Sequence, residues 1–488
     1  LVMGFRNRRQ FLEESMLAAA SAAAVGTPAI SYGFEDQSSS PNEKLGVAVV
    51  GVRGRGGSHI GAFAGRKDTE ILYICDADRD VGARRAAEVG KRQGGNVPKF
   101  EEDIRKVLED NRVDIVSIAT PNHWHALAAI WSMQAGKDVY VEKPVSHNVS
   151  EGRRIVETAR KYNRICQTGT QSRSNPGMIE LVKFVQSGKI GEVTVARGLC
   201  YKRRNSIGTR GKYAAPGSVN YDLWLGPAPN KDHVSRPQFH YDWHWQWDYG
   251  NGDLGNQGIH QMDIARWGLG VDRFAVSTLS YGGRFSYVDA GDTANTQVVS
   301  HGYGKKSLIF EVRGLETSAY KGAKIGVIFE GTEGYAVCPS YNSGSAFDKD
   351  GNLLKTFSGT GNHFDNFIQA VRARDHKVLN ADIEEGHLSS ALCHLGNISL
   401  RTGGPLNIEK AAKSLKAHRS QDDVQDTFDR TLAHAKSNNS DFETTPFQFG
   451  SLLEINPEDE SIVGNETASY QLSREYREPF AVPAAGQV

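Results

Sequence analysis

The chain carries an unusual strand ending. The apolar run Val139-Tyr140-Val141 stops at Glu142-Lys143-Pro144, a carboxylate, an amine and a proline in a row. An amine held at a strand's carboxyl end can bind a hydroxyl and stabilise the negative charge left when its proton departs. A proline beside it fixes the local geometry, most firmly if the Lys143–Pro144 bond is cis. The triplet follows a Gly-rich turn by roughly 90 residues, a distance that fits the first half of a dinucleotide-binding sheet. In such a sheet the strand ends border the ligand crevice, so Lys143 is expected to point into it.

The Gly-rich turn, Gly51-Val52-Arg53-Gly54-Arg55-Gly56-Gly57, lies between an apolar run and a helical stretch. Such a turn lets backbone amides approach a pyrophosphate at the helix N-terminus. Gly51 and Gly56 fit the G-x-G-x-x-G pattern, but Arg53 occupies the middle glycine position. Gly54 can compensate by a shifted turn, and Arg53 or Arg55 can contact phosphate directly. Asp76 ends the next strand about 25 residues on, where a carboxylate accepts from ribose hydroxyls and repels a 2′-phosphate. NAD is therefore favoured, while Arg79 keeps NADP open. Thr120, Pro121, Asn122 and His125 follow another strand at the same sheet edge and are expected to border the phosphates or nicotinamide ribose. His125 is better suited to capping or packing the next helix than to chemistry.

These residues need a scaffold. Between residues 45 and 168 apolar runs alternate with helical stretches, the pattern of a doubly wound parallel sheet. After about residue 170 strands such as Glu192–Tyr201, Thr296–Ser300, Lys306–Arg313 and Ala323–Glu330 are separated by Gly-rich turns, which predicts a large, mostly antiparallel sheet. Two helices follow, near Phe364–Arg374 and Ile383–Leu400. The division expected is 1–43 leader and linker, 44–168 dinucleotide-binding domain, 169–405 α/β substrate and oligomerisation domain, and 406–488 a polar extension wrapping the surface.

The 57 basic and 57 acidic residues balance, which gives no electrostatic case for nucleic acid or an anionic membrane. The five cysteines form no C-x-x-C pair and read as buried free thiols. Arg8-Arg9-Gln10-Phe11-Leu12, an Ala-rich run and a polar linker read as a twin-arginine export leader, so the protein is expected in the periplasm or beyond, without a membrane anchor after processing.

In combination, the Gly51 loop, Asp76, the Thr120-Pro121 turn and Glu142-Lys143-Pro144 resemble the Gfo/Idh/MocA family of NAD(P)-dependent oxidoreductases. A second anchor is the segment Gly250–Asp263, which looks like the family's Gly-rich stretch ending in Asp-x-x-x-His-x-x-Asp. The resemblance implies a Rossmann domain followed by an α/β domain whose open sheet lies over the nicotinamide. It also implies that Lys143 binds a substrate hydroxyl and that His260 is the general acid/base. The chain departs from the pattern at Asn256, where many members carry aspartate; either His260 acts without a carboxylate partner or another residue substitutes, with Asp253, Asp263 and Asp248 the candidates. No metal is implied.

The stretch His240–Asp248 alternates tryptophan with polar residues. Extended, it would place Trp243, Trp245 and Trp247 on one side, an aromatic face suited to a sugar. A core strand or an oligomer interface would use the same pattern. Tyr241, His244, Asn256 and His260, with Tyr201 and Arg236, are the expected substrate contacts. The function expected is an exported oxidoreductase moving hydride between a tightly bound nicotinamide cofactor and a sugar, polyol or glycoside hydroxyl. Two alternatives stand beside it. One is a glycoside hydrolase or lyase with a closed oxidation–elimination–reduction cycle; the other is a non-catalytic carbohydrate-binding protein. A homo-oligomer formed through the C-terminal sheet is also expected.

Overall fold

The computed structural model describes residues 44–488; the leader read from the sequence lies outside the described residues. β1 (Leu45–Val50) is almost wholly buried and ends at Gly51, whose φ is +80°. A Cβ at Gly51 would sit 2.6 Å from the Thr120 nitrogen, so only glycine lets this turn close against the neighbouring strand end. α1 (Gly56–Ala64), β2 (Thr69–Cys75), α2 (Arg79–Arg92), β3 (Lys99–Glu101), α3 (Ile104–Leu108), β4 (Ile115–Ile118), α4 (Asn122–Gln134), β5 (Asp138–Val141), α5 (Val149–Lys161) and β6 (Cys166–Thr168) complete the first domain. Its strands run in parallel in the order β3-β2-β1-β4-β5-β6. The order reverses between β1 and β4, and the crevice opens there, at the strands' carboxyl ends.

Local signals explain the helix starts. Asp78 caps α2 by accepting from the Asp80 and Val81 amides. At α5 the N-cap Asn148 accepts from the Glu151 amide, while Glu151 accepts from the amide of His147, one residue before the cap. α1 has no side-chain cap. The Gly57 and Ser58 amides donate instead to the turn's own Gly54 (3.0 Å) and Arg55 (2.9 Å) carbonyls.

The second domain begins with α6 (Pro176–Gln186) and β7 (Val193–Cys200). Little regular structure follows until Gly252, apart from α7 (Tyr221–Leu225) and a 3₁₀ turn at Asp242–Trp245. α8 (Gly252–Asn256) and α9 (Gly258–Leu269) lead into β8 (Ser277–Gly283), β9 (Thr296–Gly302), β10 (Ser307–Arg313), β11 (Ile325–Gly331), β12 (Gly334–Cys338), β13 (Ser343–Asp348) and β14 (Leu353–Ser358). α10 (His363–Ala373), α11 (Ile383–Arg401), β15 (Gly404–Pro405), α12 (Ile408–His418), α13 (Val424–Ser437), β16 (Gln448–Phe449), β17 (Leu453–Asn456), β18 (Ser461–Val463) and α14 (Glu466–Tyr470) follow. The twelve-stranded sheet has the main order β14-β13-β12-β11-β7-β10-β9-β8-β16-β15. Only β7 and β10 pair in parallel, so the sheet is mixed and mostly antiparallel.

One face of this sheet packs on α6, α9 and α11 through Met178, Leu181, Met262, Phe310, Phe329 and Leu392. On the other face α12 and α13 lay Ala411, Leu415, Phe428 and Ala435 over Leu279, Tyr281, Val298 and Ile309. This part of the sheet is thus covered by the chain itself. Residues 448–456, read from sequence as part of a surface extension, add strands to the sheet.

Residues between β7 and α8 form a strap that crosses to the first domain. The Asn220 amide donates to the Ala77 carbonyl (2.7 Å), the Arg79 amide to Ser218 (3.0 Å), and His240 Nε2 lies 3.1 Å from an Asp78 carboxylate oxygen. The chain's last segment then holds the strap. Arg477 donates to the Asp222 carboxylate (2.6 Å), the Asp222 carbonyl (2.7 Å) and the Gly226 carbonyl (3.0 Å). Phe480 packs against Trp124, with ring centroids 5.5 Å apart. All five cysteines are buried and unpaired. Among the described residues no helix is long and apolar enough to cross a membrane.

Candidate active site

A cleft with a cavity volume of about 500 Å³ runs along the carboxyl ends of β1, β2, β4 and β5, under the strap and against α8 and α9. It brings together every expected cofactor contact except the buried Gly56: Gly51, Arg53, Gly54, Arg55, Asp76, Thr120, Pro121, Asn122, His125, Glu142 and Lys143. Gly56 lies just below, where a Cβ would sit 2.0 Å from the Gly51 carbonyl oxygen. From the second domain the cleft takes Tyr241, His244, Asn256, His260 and Tyr341.

The far end fits an adenosine ribose. Asp76 accepts from the Val52 amide (2.8 Å) and the Asp78 amide (3.0 Å), which fixes the carboxylate at the strand tip. Burial raises its pKa against the lowering pull of these amides. Arg79, the side chain that keeps NADP open, donates instead to the Gly217 carbonyl (3.0 Å) and Glu102 (3.4 Å). The middle of the cleft fits a pyrophosphate. A Cβ at Gly54 would meet no atom within 4 Å, so the turn stands open beside the N-terminus of α1, where the helix dipole favours an anion.

Glu142 is buried and deeply engaged. Its Oε1 accepts from Arg55 Nε (2.7 Å) and lies 3.2 Å from His59 Nε2. His59 Nδ1 is 2.8 Å from Ser117 Oγ. Burial would raise the Glu142 pKa, but the His59 hydrogen bond and the Arg55 guanidinium outweigh it and hold the carboxyl well below its usual range. Arg55 is thus tied to Glu142 at the cleft edge, while Arg53 stands exposed at its mouth. His125 ties two strand ends together, with Nδ1 2.6 Å from the Pro144 carbonyl oxygen and Nε2 2.8 Å from that of Thr120. Asn122 donates to Asn251 Oδ1 (3.0 Å).

At the inner end the Lys143–Pro144 bond is cis, and Lys143 Nζ donates to the Asn256 carbonyl oxygen (2.8 Å). Burial lowers the lysine's pKa. His260 projects from α9 and is 9 % exposed, with its ring centroid 4.9 Å from that of Tyr341. Burial first, and then the Lys143 charge, push its pKa well below the ordinary value, so the imidazole is neutral at physiological pH. None of the aspartates proposed to replace a carboxylate at 256 lines this cleft. Asp253 is paired with Arg204, Asp263 accepts three hydrogen bonds from Arg173 and one from Ser389, and Asp248 is paired with Lys231. The carboxylate whose charge reaches His260 is Glu142.

Two expected substrate contacts lie elsewhere. The Tyr201 hydroxyl donates to Glu311 (2.6 Å) on the sheet face turned away from the cleft, because side chains alternate along β7 and its continuation. Arg236 is 1 % exposed. It donates to the Phe239 carbonyl (3.1 Å) and Gln246 (2.8 Å) among the rings of Trp224, Phe239 and Tyr249. Burial pulls its pKa down to about 10. The tryptophan stretch is not extended either. It turns at Asp242–Trp245 and folds back through a Gly250 amide bond to the Gln246 carbonyl (2.8 Å). Trp243 therefore reaches the cleft and stacks on His244 at 3.6 Å, whereas Trp245 is buried beside Arg204 and Trp247 lies under Arg401. Tyr241 takes a positive φ of 67° and stands 49 % exposed at the cleft mouth. Sequence reasoning missed His59, Ser117, Gln171 and Tyr341. The buried histidine on α1's inner face was the one readable signal among them.

The chain's first part, residues 45–170, matches the oxidoreductase family's NAD-binding Rossmann fold, and residues 178–434 match that family's C-terminal alpha/beta domain. A glycosyl hydrolase family 109 protein of Solibacter usitatus is 26 % identical over 318 residues, which cover 63 % of this chain and 68 % of that protein. An alpha-N-acetylgalactosaminidase of Shewanella oneidensis is 29 % identical over 154 residues, 31 % of this chain and 34 % of that one. The chain spans about a third of the length of most curated relatives it matches. Among solved structures, the WlbA dehydrogenase from Bordetella pertussis, in complex with NADH and UDP-GlcNAcA, superposes with a TM-score of 0.54 at 20 % identity, over 72 % of this chain and 94 % of that one. The aldose-aldose oxidoreductase from Caulobacter crescentus, complexed with glycerol, gives 0.55 at 16 % identity, over 72 % and 98 %. Both likenesses concern the fold. With the two matches together spanning most of the sequence, and a Rossmann crevice built to take the dinucleotide, the chain belongs to the Gfo/Idh/MocA oxidoreductase family and has an NAD-binding domain.

Proposed function

We propose that this protein oxidises a secondary hydroxyl of a sugar or glycoside, using a nicotinamide cofactor that stays bound. The carrying observation is the pairing of Lys143 and His260 at the inner end of one cleft, with the amine fixed by the Asn256 carbonyl. When bound, NAD accepts hydride from the substrate carbon and can return it. His260, neutral and buried, takes the hydroxyl proton. Lys143 donates to the substrate oxygen and stabilises the charge that develops there. The aromatic rings of Trp243, Tyr241 and Tyr341, with His244 beside them, supply apolar and polar surfaces of the kind a sugar ring requires. Lys143→Ala and His260→Ala should each lower turnover by about 10²- to 10⁴-fold while leaving bound NAD in place. Unchanged turnover in both variants would remove the catalytic assignment and favour a carbohydrate-binding protein.

A second reading is favoured by the names of the relatives, which include glycosyl hydrolase family 109 proteins. In it, oxidation is followed by loss of the glycosidic substituent and re-reduction. Release of the aglycone from a chromogenic glycoside without net change of cofactor would select this outcome. The retained cofactor is supported by the strap and by the Arg477 and Phe480 contacts that hold it. Export by the twin-arginine route, which carries folded proteins, would suit a cofactor loaded before transport. Protein purified without added nucleotide should release NAD on denaturation; a site found empty that exchanges NAD rapidly would defeat this part of the proposal.

A further inference from the structure

A second cavity, about 270 Å³, lies on the other side of Asn251 from the dinucleotide cleft. Asn251 forms the wall between them: its Oδ1 accepts from Asn122 in the cleft, and its Nδ2 donates to the carbonyl of His147, which lines the second cavity. Two guanidinium groups line this space. Arg401 is exposed and stacks over Trp247, 5.0 Å from the ring centroid. Arg474 donates to the Asp248 carbonyl (3.0 Å) and lies 3.1 Å from His147 Nδ1. Neither makes an ion pair with a carboxylate among the described residues. The acidic side chains of the lining are already engaged, Asp248 with Lys231 and Glu475 with the Tyr470 hydroxyl.

The lining also holds polar atoms without partners. His394 is 3 % exposed, and its Nδ1 has none. The same is true of His147 Nε2 and Gln471 Oε1. Unsatisfied buried groups cost about 1–3 kcal/mol each, and three around one cavity point to something that binds there. Burial first, and then the neighbouring Arg474, His123, His394 and Arg401, keep His147 neutral; the two guanidinium groups make the cavity favour a negative ligand. The size is just below the ~300–1,000 Å³ of drug-sized sites, which restricts the ligand to a small molecule.

We propose that this cavity binds a small hydroxylated carboxylate, the chemistry of a sugar acid. Arg401 and Arg474 receive the carboxylate, and His147, His394 and Gln471 meet the hydroxyls. The site is separate from the proposed catalytic cleft and does not rest on its reaction. The test is equilibrium dialysis of the NAD-loaded protein against labelled glucuronate, with glucose and inorganic sulfate as competitors. One equivalent should bind with a Kd near or below about 1 mM. The Lys143→Ala protein should bind as well as the parent. Arg401→Gln, with circular dichroism and melting unchanged, should weaken binding by about tenfold or more, as expected for a lost charged hydrogen bond, and Arg401→Lys should fall between. No binding at about 10 mM, loss in Lys143→Ala, full binding in Arg401→Gln, or equal competition by glucose or sulfate would each overturn the proposal.

Discussion

Lys143 is positioned by a main-chain oxygen, the Asn256 carbonyl, and not by a side chain. The side chain at 256 can therefore change without moving the amine. Asn256→Asp would add a carboxylate to the cleft that His260 shares, favour the imidazolium and raise the histidine's pKa. If neutral His260 takes the proton, the acid limb of the pH–kcat profile should move to higher pH in this variant, and kcat at low pH should drop. At the other end of the cleft Asp76 holds two backbone amides. Asp76→Asn keeps the shape but removes the charge and turns an NH₂ toward one amide. NAD binding should weaken by about 10- to 100-fold, the scale of a charged hydrogen bond, measured as NAD retained through dialysis.

At the scale of elements, the first domain was legible because each buried parallel strand is a continuous apolar run followed by a polar turn. The Gly51 turn, Asp76, Thr120 and Lys143 all sit where such runs end, so chain order placed them on one edge. The second domain was less legible. Its outer and inner faces are both buried, so the alternation in β7 could not say that Tyr201 faces Glu311 and not the cleft. α9 carries Gly258 and Gly268, which weaken a helical pattern, yet Gly268 is required: a Cβ there would sit 2.2 Å from the Phe329 ring. The strap has no period, and its turn at Asp242–Trp245 depends on contacts far along the chain, as does the burial of Arg236. The Asn256 carbonyl that holds Lys143 is main chain and leaves no mark in residue type. The strap also carries a prediction. Arg477→Ala removes three hydrogen bonds that pin α7, outside the cleft itself. NAD should dissociate about tenfold faster, with little change in melting temperature, when release is followed by cofactor fluorescence.

The whole molecule buries many histidines in their neutral form. Burial pulls His123, His244, His301 and His394 down to about 3, and His363, His418 and His434 to about 4. A histidine with its folded pKa below the unfolded value of about 6.5 gives its full stability above that pH and loses it as pH falls toward the folded value. The loss approaches about 1.4 kcal/mol per pH unit for each such group. The denaturant midpoint should therefore fall steeply from about pH 6.5 to 4, and unfolding at pH 5 should take up several protons. Glu311 and Glu460, held near 2 against burial by their arginine and histidine partners, add a second loss only below about pH 4.5.

The contacts of Arg477 and Phe480 also set an order of events. Residues 45–168 are synthesised first, and domains form as units while the chain emerges. The groove they make is crossed by the strap, which bonds to it directly and is held from outside by Arg477, made more than 250 positions after the strap residues it holds. The outer hold on the strap is thus the last part of the cleft's surroundings to be made, so a chain cut short before Arg477 keeps every cleft residue and lacks only that hold.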